Sequence, residues 1–246
     1  MRSRYEGMWN VMRFNWPKYV LGCSGIGAAF GCAWLYPDAR LLFVALGLLG
    51  TVVVLLSLLA SHVIYDRSAL YRMPWLDGLH VRPPQRMLNL NAGFDESSAI
   101  LNDRFPQSEL TVVDLFDAVH CTEPSIVRAR MAYPPYPGTL QTKVGEIPVL
   151  TARVDLVIAF LSLHEVRTHV DRVAMLKEIR RTLAVDGHLV VTEHLRDLPN
   201  ALAFTIGVFH FHTRKMWTRA FRESGLHLIG EHRTAGFITT FILRSE

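Results

Sequence analysis

The chain has 246 residues, half of them hydrophobic and 20% charged, with a mean hydropathy of +0.20. That length admits one sizeable domain plus an accessory segment, and the composition excludes a disordered chain, which could not bury enough apolar surface to offset its ordering entropy. Of the net charge of +4, residues 1–65 supply most, with five Lys/Arg against two acids; the rest of the chain holds 21 bases and 20 acids, too balanced for a nucleic-acid-binding face.

Residues 19–36 carry no charge, and residues 41–64 have His62 as their only ionisable group. A spanning helix needs roughly 20 apolar residues. The two runs, joined by Pro37-Asp38-Ala39-Arg40, therefore predict a two-helix transmembrane anchor over residues 1–65. Trp16, Tyr19, Trp34 and Tyr36 stand at the ends of the first run, where amphipathic rings favour the headgroup level. A signal peptide is disfavoured because no small-residue cleavage site follows and a second span begins at once. Arg2, Arg4, Arg13 and Lys18 precede the spans and Arg67, Arg72, Arg82 and Arg86 follow them, with only Arg40 between. The positive-inside bias then puts both termini and the rest of the chain on the cytoplasmic side of a bacterial-type inner membrane. Gly22, Gly25, Gly27 and Gly31 line the first span. They either support a homodimer through Gly27/Gly31 or let the two helices of one hairpin approach closely; the second reading is preferred.

Residues 66–85 read as a juxtamembrane linker helix ended by Pro83-Pro84. From residue 86 onward, short apolar runs alternate with amphipathic ones. Strands are expected at 86–91, 110–114, 154–160 and 188–192, and helices at 96–105, 170–183 and 216–224. Residues 226–231 and 237–243 close the chain as a hairpin, and 133–138 is a proline-rich loop. This alternation predicts an α/β class: a Rossmann-like, doubly wound, mostly parallel sheet with an antiparallel C-terminal hairpin over residues 86–246. Three cysteines (Cys23, Cys32, Cys121) exclude a disulfide framework or a cysteine zinc ribbon.

Four segments of this domain carry a resemblance. They are the turn Leu88-Asn89-Leu90-Asn91-Ala92-Gly93-Phe94-Asp95; Asp114 at the end of the second strand; Gly145-Glu146-Ile147-Pro148 before the third; and the run from Leu163-His164-Glu165-Val166 to Asp186-Gly187 and Thr192-Glu193. In this order they resemble the class I S-adenosylmethionine-dependent methyltransferases, of the methyltransferase type 11 or UbiE-like group. The resemblance implies S-adenosylmethionine as cofactor, held by Asn89, Asn91, Gly93, Phe94, Asp95, Asp114, Leu115, Glu146 and Phe160. The sequence departs from that family's D-x-G-x-G-x-G loop at Asn89, Asn91 and Asp95. Asn and Asp tolerate left-handed backbone best after glycine, so the turn can persist. An amide in place of the acid weakens charge-assisted bonding.

In open parallel sheets the ligand lies beyond the carboxyl ends of the strands. His164, Glu165, Glu193 and His194 fall there, followed by Arg196 and by His210 and His212. Histidine titrates in the range useful for proton removal, so His164 is the first candidate base, with Glu165 and His194 behind it. Glu193, Arg196, His210 and His212 are candidate acceptor contacts. The imidazoles and carboxylates admit a metal reading, but no HExxH or CxxC supports it and no metal is expected. The expected function is membrane-anchored methyl transfer to a lipophilic small molecule such as a quinone, a phenolic or polyene lipid, or a phospholipid headgroup. The alternative is a catalytically degenerate assembly subunit. An NAD-dependent dehydrogenase is disfavoured by the lack of G-x-G-x-x-G.

Overall fold

The computed structural model describes residues 3–79, 83–116 and 123–245. Arg2 and Arg82, used for orientation, Cys121 and linker residues 80–82 lie outside the described residues.

The chain begins with α1 (Glu6–Phe14), α2 (Trp16–Leu35) and α3 (Arg40–His62), and it reverses between the last two in a 3-10 turn at Pro37–Ala39. The packing of α2 on α3 is antiparallel. Tyr19 Oη lies 3.3 Å from Ser57 Oγ, Ile26 fills the space beside Gly50, and the Phe30 ring lies over Gly47. The close approach therefore comes from Gly47 and Gly50 on α3. It does not come from Gly25, Gly27 and Gly31, where an added Cβ would meet nothing within 4 Å. That overturns the preferred reading for those three glycines, while Gly22 does face α3, where an added Cβ would meet Val54 at 3.5 Å.

Among the described residues one helical stretch, Pro37–Leu76, is long and apolar enough to cross a membrane, where the sequence predicted two spans. The physical reason lies in α2, which begins with Lys18 in its first turn and spends four positions on glycine, a residue with no side chain to bury. The outer faces of both helices are apolar and open, with Leu21, Trp34, Leu41 and Leu49 among the most exposed side chains.

Residues 66–79 do not form the expected linker helix. The chain leaves α3 through a π turn at Val63–Arg67 and two 3-10 turns at Leu70–Arg72 and Pro74–Leu76, with Met73 left-handed at φ +47 between them. These turns bury Ile64, Leu70, Met73, Trp75 and Leu76 against Met87, Ile158 and Phe160 of the sheet, so burial rather than helical propensity fixes their path. Asp66 accepts from the backbone amides of Gly7 and Met8 at 2.7 and 3.1 Å, satisfying unpaired amides in the first turn of α1. Gly7 is required there, because a Cβ would stand 2.3 Å from that of Tyr65.

The domain that follows is β1 (Arg86–Asn91), α4 (Ser98–Arg104), β2 (Glu109–Asp114), α5 (Pro124–Ala132), β3 (Leu140–Gln141), β4 (Val154–Phe160), α6 (His169–Thr182), β5 (Leu183–His194), α7 (Leu198–Phe204), α8 (Arg214–Glu223), β6 (Leu226–Thr234) and β7 (Ile238–Ser245). The seven strands are ordered β3-β2-β1-β4-β5-β7-β6. The first five run parallel, and β7 pairs antiparallel with both β5 and β6, as the alternating pattern and the terminal hairpin predicted. β4 is buried at six of its seven positions, in keeping with a central parallel strand covered on both faces.

Helix α6 does not bury every apolar side chain it carries. Val170 is 75% exposed, whereas Arg172 is fully buried alongside Met175, Leu176 and Ile179. The carboxyl ends of β1, β2, β4 and β5 converge on one edge, and there the polar residues collect.

Candidate active site

At the end of β1 the chain turns through Gly93, whose φ of +94 favours glycine. An added Cβ would stand 2.9–3.0 Å from Ile126, Phe116 and Arg130. Asn89 Nδ2 donates to the hydroxyls of Ser97 and Ser98 at 2.8 and 2.7 Å and to Asp95 at 3.3 Å. Asp95 Oδ1 in turn accepts from the amides of Ser97 and Ser98, while its Oδ2 is buried without a hydrogen-bond partner. The acid missing at 89 is thus present six positions later in the same turn.

Asp114 ends β2 beside Asn91 and is 1% exposed. Its carboxylate accepts from the Phe116 amide at 2.9 Å and Gln141 Nε2 at 2.9 Å, and it forms an ion pair with Arg130 of α5. The Arg130 guanidinium also lies 4.4 Å from the Phe116 ring centre. Phe14 of α1 and Tyr133 both pack on Phe94, at centroid distances of 5.5 and 5.3 Å, and Arg128 Nε donates to the Phe14 carbonyl at 2.5 Å. The loop is therefore covered by α1 and α5. Leu115 and Phe160 are buried nearby, whereas Glu146 is exposed in a surface turn.

A second cluster forms beyond β4 and β5. Leu161, at φ +51, turns the chain out of β4 into the 3-10 turn Leu163–Glu165. His164 Nδ1 donates to Glu193 Oε2 at 2.6 Å and its backbone amide donates to Glu193 Oε1 at 3.1 Å. Its Nε2 faces Glu165 Oε1 at 3.4 Å, and the same oxygen lies 3.1 Å from His210 Nε2. Burial alone would push the His164 pKa down, but the charges and hydrogen bonds of Glu193 and Glu165 overcome it and raise it to about 10. Glu165 is held below the usual carboxylate range: burial opposes this, but its bonds to His164 and His210 dominate.

His194 is arranged differently. Its Nδ1 donates to Asn200 Oδ1 at 2.9 Å, because the Asn200 amide nitrogen is spent on Asp197 and the Phe237 carbonyl. Its Nε2 accordingly accepts from Tyr65 Oη at 2.8 Å. Burial pushes its pKa down to about 4, so the ring is neutral with both nitrogens engaged, and it stacks on Phe211 at 4.8 Å. His212 faces Arg172 Nη1 at 2.8 Å, and burial followed by the Arg172 charge lowers its pKa to about 3. Arg196 donates to the carbonyls of Phe209 and Phe211, fixing the loop on which His210 and His212 sit.

The structure thus brings His164, Glu165, Glu193 and His210 together and gathers Asn89, Asn91, Gly93, Phe94, Asp95 and Asp114 along the neighbouring strand ends. It directs His194, His212 and Arg196 to supporting contacts, and it leaves Glu146 at the surface. Sequence reasoning passed over Tyr65, Arg130 and Arg172. No motif marks them, since each gains its role from a partner far away in the chain.

Residues 88–191 match the family model described as a methyltransferase domain. Over 167 residues the chain is 26% identical to malonyl-[acyl-carrier protein] O-methyltransferase of Laribacter hongkongensis (strain HLHK9), a match covering 59% of this chain and 53% of that protein. The chain therefore spans about half the length of this curated relative. Among solved structures, a SAM-dependent methyltransferase from Aquifex aeolicus is similar with a TM-score of 0.51 at 11% identity, covering 72% of this chain and 93% of that one. The mitomycin 7-O-methyltransferase structure has a TM-score of 0.55 at 16% identity, covering 100% of this chain and 74% of the other. The fold is that of the class I methyltransferases. The domain match and the relative's name support a S-adenosylmethionine-dependent methyltransferase.

Proposed function

With residues 88–191 as a methyltransferase domain, we propose that the chain moves the methyl group of S-adenosylmethionine to a lipophilic small molecule at a membrane. The observation that carries this reading is the joining of an exposed apolar helix to the active edge of the sheet. The stretch Pro37–Leu76 meets the length and apolarity of a span, and the turns at its end pack beneath β4 and reach His194 through Tyr65. An acceptor concentrated in a bilayer would then be met by a cleft held at the membrane surface.

The residues present fit the cofactor. Gly93 supplies a turn that only a small residue allows, Asp114 a buried carboxylate of the kind that binds ribose hydroxyls, and Asp95 an unpartnered buried oxygen suited to an ammonium donor. When bound, S-adenosylmethionine supplies a methyl group already activated on a sulfonium. The chain's own task is to align the acceptor and to hold or remove its proton. His164 lies at the acceptor side of the site with Glu193 at its Nδ1 and Glu165 at its Nε2, so it is not the free base first assigned to it. His194 and Tyr65 position the cluster against the anchor, and Phe204, Phe209 and Phe211 give the acceptor an apolar side.

The Asp114–Arg130 pair supports the second reading, a degenerate methyltransferase-like subunit, because a ribose must displace Arg130 to reach the carboxylate. Incubation of the full-length protein in vesicles with methyl-labelled S-adenosylmethionine and a membrane lipid extract tests the choice. Label in the solvent-extractable fraction supports the lipophilic acceptor. Label confined to water-soluble products, or no transfer, counts against it.

A further inference from the structure

His164 and His210 share one carboxylate. Glu193 Oε2 lies 2.6 Å from His164 Nδ1, whereas His210 Nδ1 has Arg167 Nη1 at 3.1 Å and Glu123 Oε1 at 3.4 Å. Each turns Nε2 toward the same oxygen, Glu165 Oε1, at 3.4 and 3.1 Å. One ligand atom from each of His164, Glu165 and His210 lies within 4.8 Å of the other two. Donors about 2.1 Å from a common ion stand roughly 3.0 Å apart at octahedral angles and roughly 3.4 Å apart at tetrahedral ones. The two contact spacings fall in that range. A carboxylate on the far nitrogen is the arrangement that orients a ligating imidazole and raises its basicity.

The charges agree. Glu123, Glu165 and Glu193 bring three negative charges to the two rings. Arg167 is the cation in contact with them, its Nη1 3.1 Å from His210 Nδ1 and 2.6 Å from the His210 carbonyl. With neutral imidazoles these contacts leave two negative charges, or one when the buried Arg172 near Glu193 is counted, and a divalent cation offsets them. Satisfying all four carboxylate contacts by protons alone would need two imidazolium rings with centroids 5.1 Å apart, beside that arginine. One ion replaces both Nε2 protons, and Arg167 keeps its bond to the carbonyl.

We propose that His164, Glu165 and His210 bind one divalent first-row transition ion, with Glu193 orienting the His164 imidazole. Two nitrogens and one carboxylate suit Zn2+ and Mn2+ rather than the all-oxygen sites of Mg2+ or Ca2+. Three protein donors leave coordination positions for water or for an acceptor oxygen. This deepens the methyltransferase reading, on which its position at the acceptor side rests, by favouring phenolic, enolic or carboxylic acceptors. No short motif announces the site, because its donors are an adjacent pair and a residue 45 positions further on.

Tag-free full-length protein in detergent, stripped with chelator, tests this by calorimetric titration with Zn2+ and with Mn2+, and by counting metal after desalting. S-adenosylmethionine binding is followed in parallel. One ion per chain is expected. His210→Ala and Glu165→Gln should weaken it at least about 100-fold and Glu193→Gln about 10- to 100-fold, as for other lost ligands and their orienting partners. His169→Ala, whose ring pairs with Glu223 outside the cluster, should leave it unchanged. The visible absorption of the Co2+-loaded wild type reports mixed nitrogen and oxygen ligation without any variant. Absence of saturable binding, or affinity unchanged in His210→Ala, overturns the site. Ion binding without S-adenosylmethionine binding keeps the site and removes the methyltransferase reading; the reverse result removes the site alone.

Discussion

Tyr65, in the π turn that leaves α3, donates a 2.8 Å hydrogen bond to Nε2 of His194, 129 positions later at the end of β5. The bond ties the apolar helix to the strand that also carries Glu193. It is also the reason His194 is not available for proton transfer, since Asn200 occupies the other ring nitrogen.

Tyr65→Phe should leave the buried Nε2 without a donor. An unsatisfied buried acceptor costs about 1–3 kcal/mol, so the thermal midpoint in detergent should fall by several degrees, with S-adenosylmethionine affinity kept. An unchanged midpoint would mean that the bond contributes nothing to stability.

The strands of this domain were legible because burial on both faces leaves a plain apolar run. Residues 86–91 and 154–160 were expected as strands and are observed as Arg86–Asn91 and Val154–Phe160. Where tertiary contacts overrule local pattern, reading failed. α6 buries Arg172 and exposes Val170 because its neighbours are the Val166 carbonyl, His212 and the Trp217 ring rather than an apolar sheet face. Residues 63–76 carry a helix-like composition but break into tight turns to place Ile64, Leu70 and Trp75 in the core. In the site, the residues at strand ends were legible from the rule that ligands gather there. Their tasks were not, since His194, His212 and Arg196 are committed to partners that only the fold supplies. His210 and His212, two apart on one loop, turn to different partners, Glu165 and Arg172.

Gly93→Ala forces a side chain into left-handed backbone and against Ile126, Phe116 and Arg130. S-adenosylmethionine affinity should fall at least about tenfold, equivalent to about 1.4 kcal/mol, with a smaller loss of stability. Equal affinity in a calorimetric comparison would remove this turn from the cofactor site.

Arg130→Ala removes the cation that occupies Asp114. If ribose competes for the same carboxylate, the variant should bind S-adenosylmethionine more tightly, by several-fold in calorimetry. Weaker binding would assign Arg130 to holding the cofactor instead.

His194 supplies a pH dependence. Its folded pKa is depressed to about 4, so between the unfolded value near 6.5 and about 4 the unfolded chain takes up a proton that the folded chain refuses. This contribution to stability is present above pH ~6.5 and is lost as the pH falls through that window, at up to about 1.4 kcal/mol per unit. Urea midpoints measured from pH 7.5 to 4.5 should decline, and His194→Gln should decline less steeply. Parallel slopes would show that the buried ring is not the source.

The binding of S-adenosylmethionine and S-adenosylhomocysteine to detergent-solubilised full-length protein, with Asp114→Ala beside it, bears most directly on the assignment. Calorimetric affinity on the order of micromolar, lost in Asp114→Ala without unfolding, is the expected result. No heat of binding at millimolar ligand, or equal binding by the variant, would contradict a cofactor site at the end of β2.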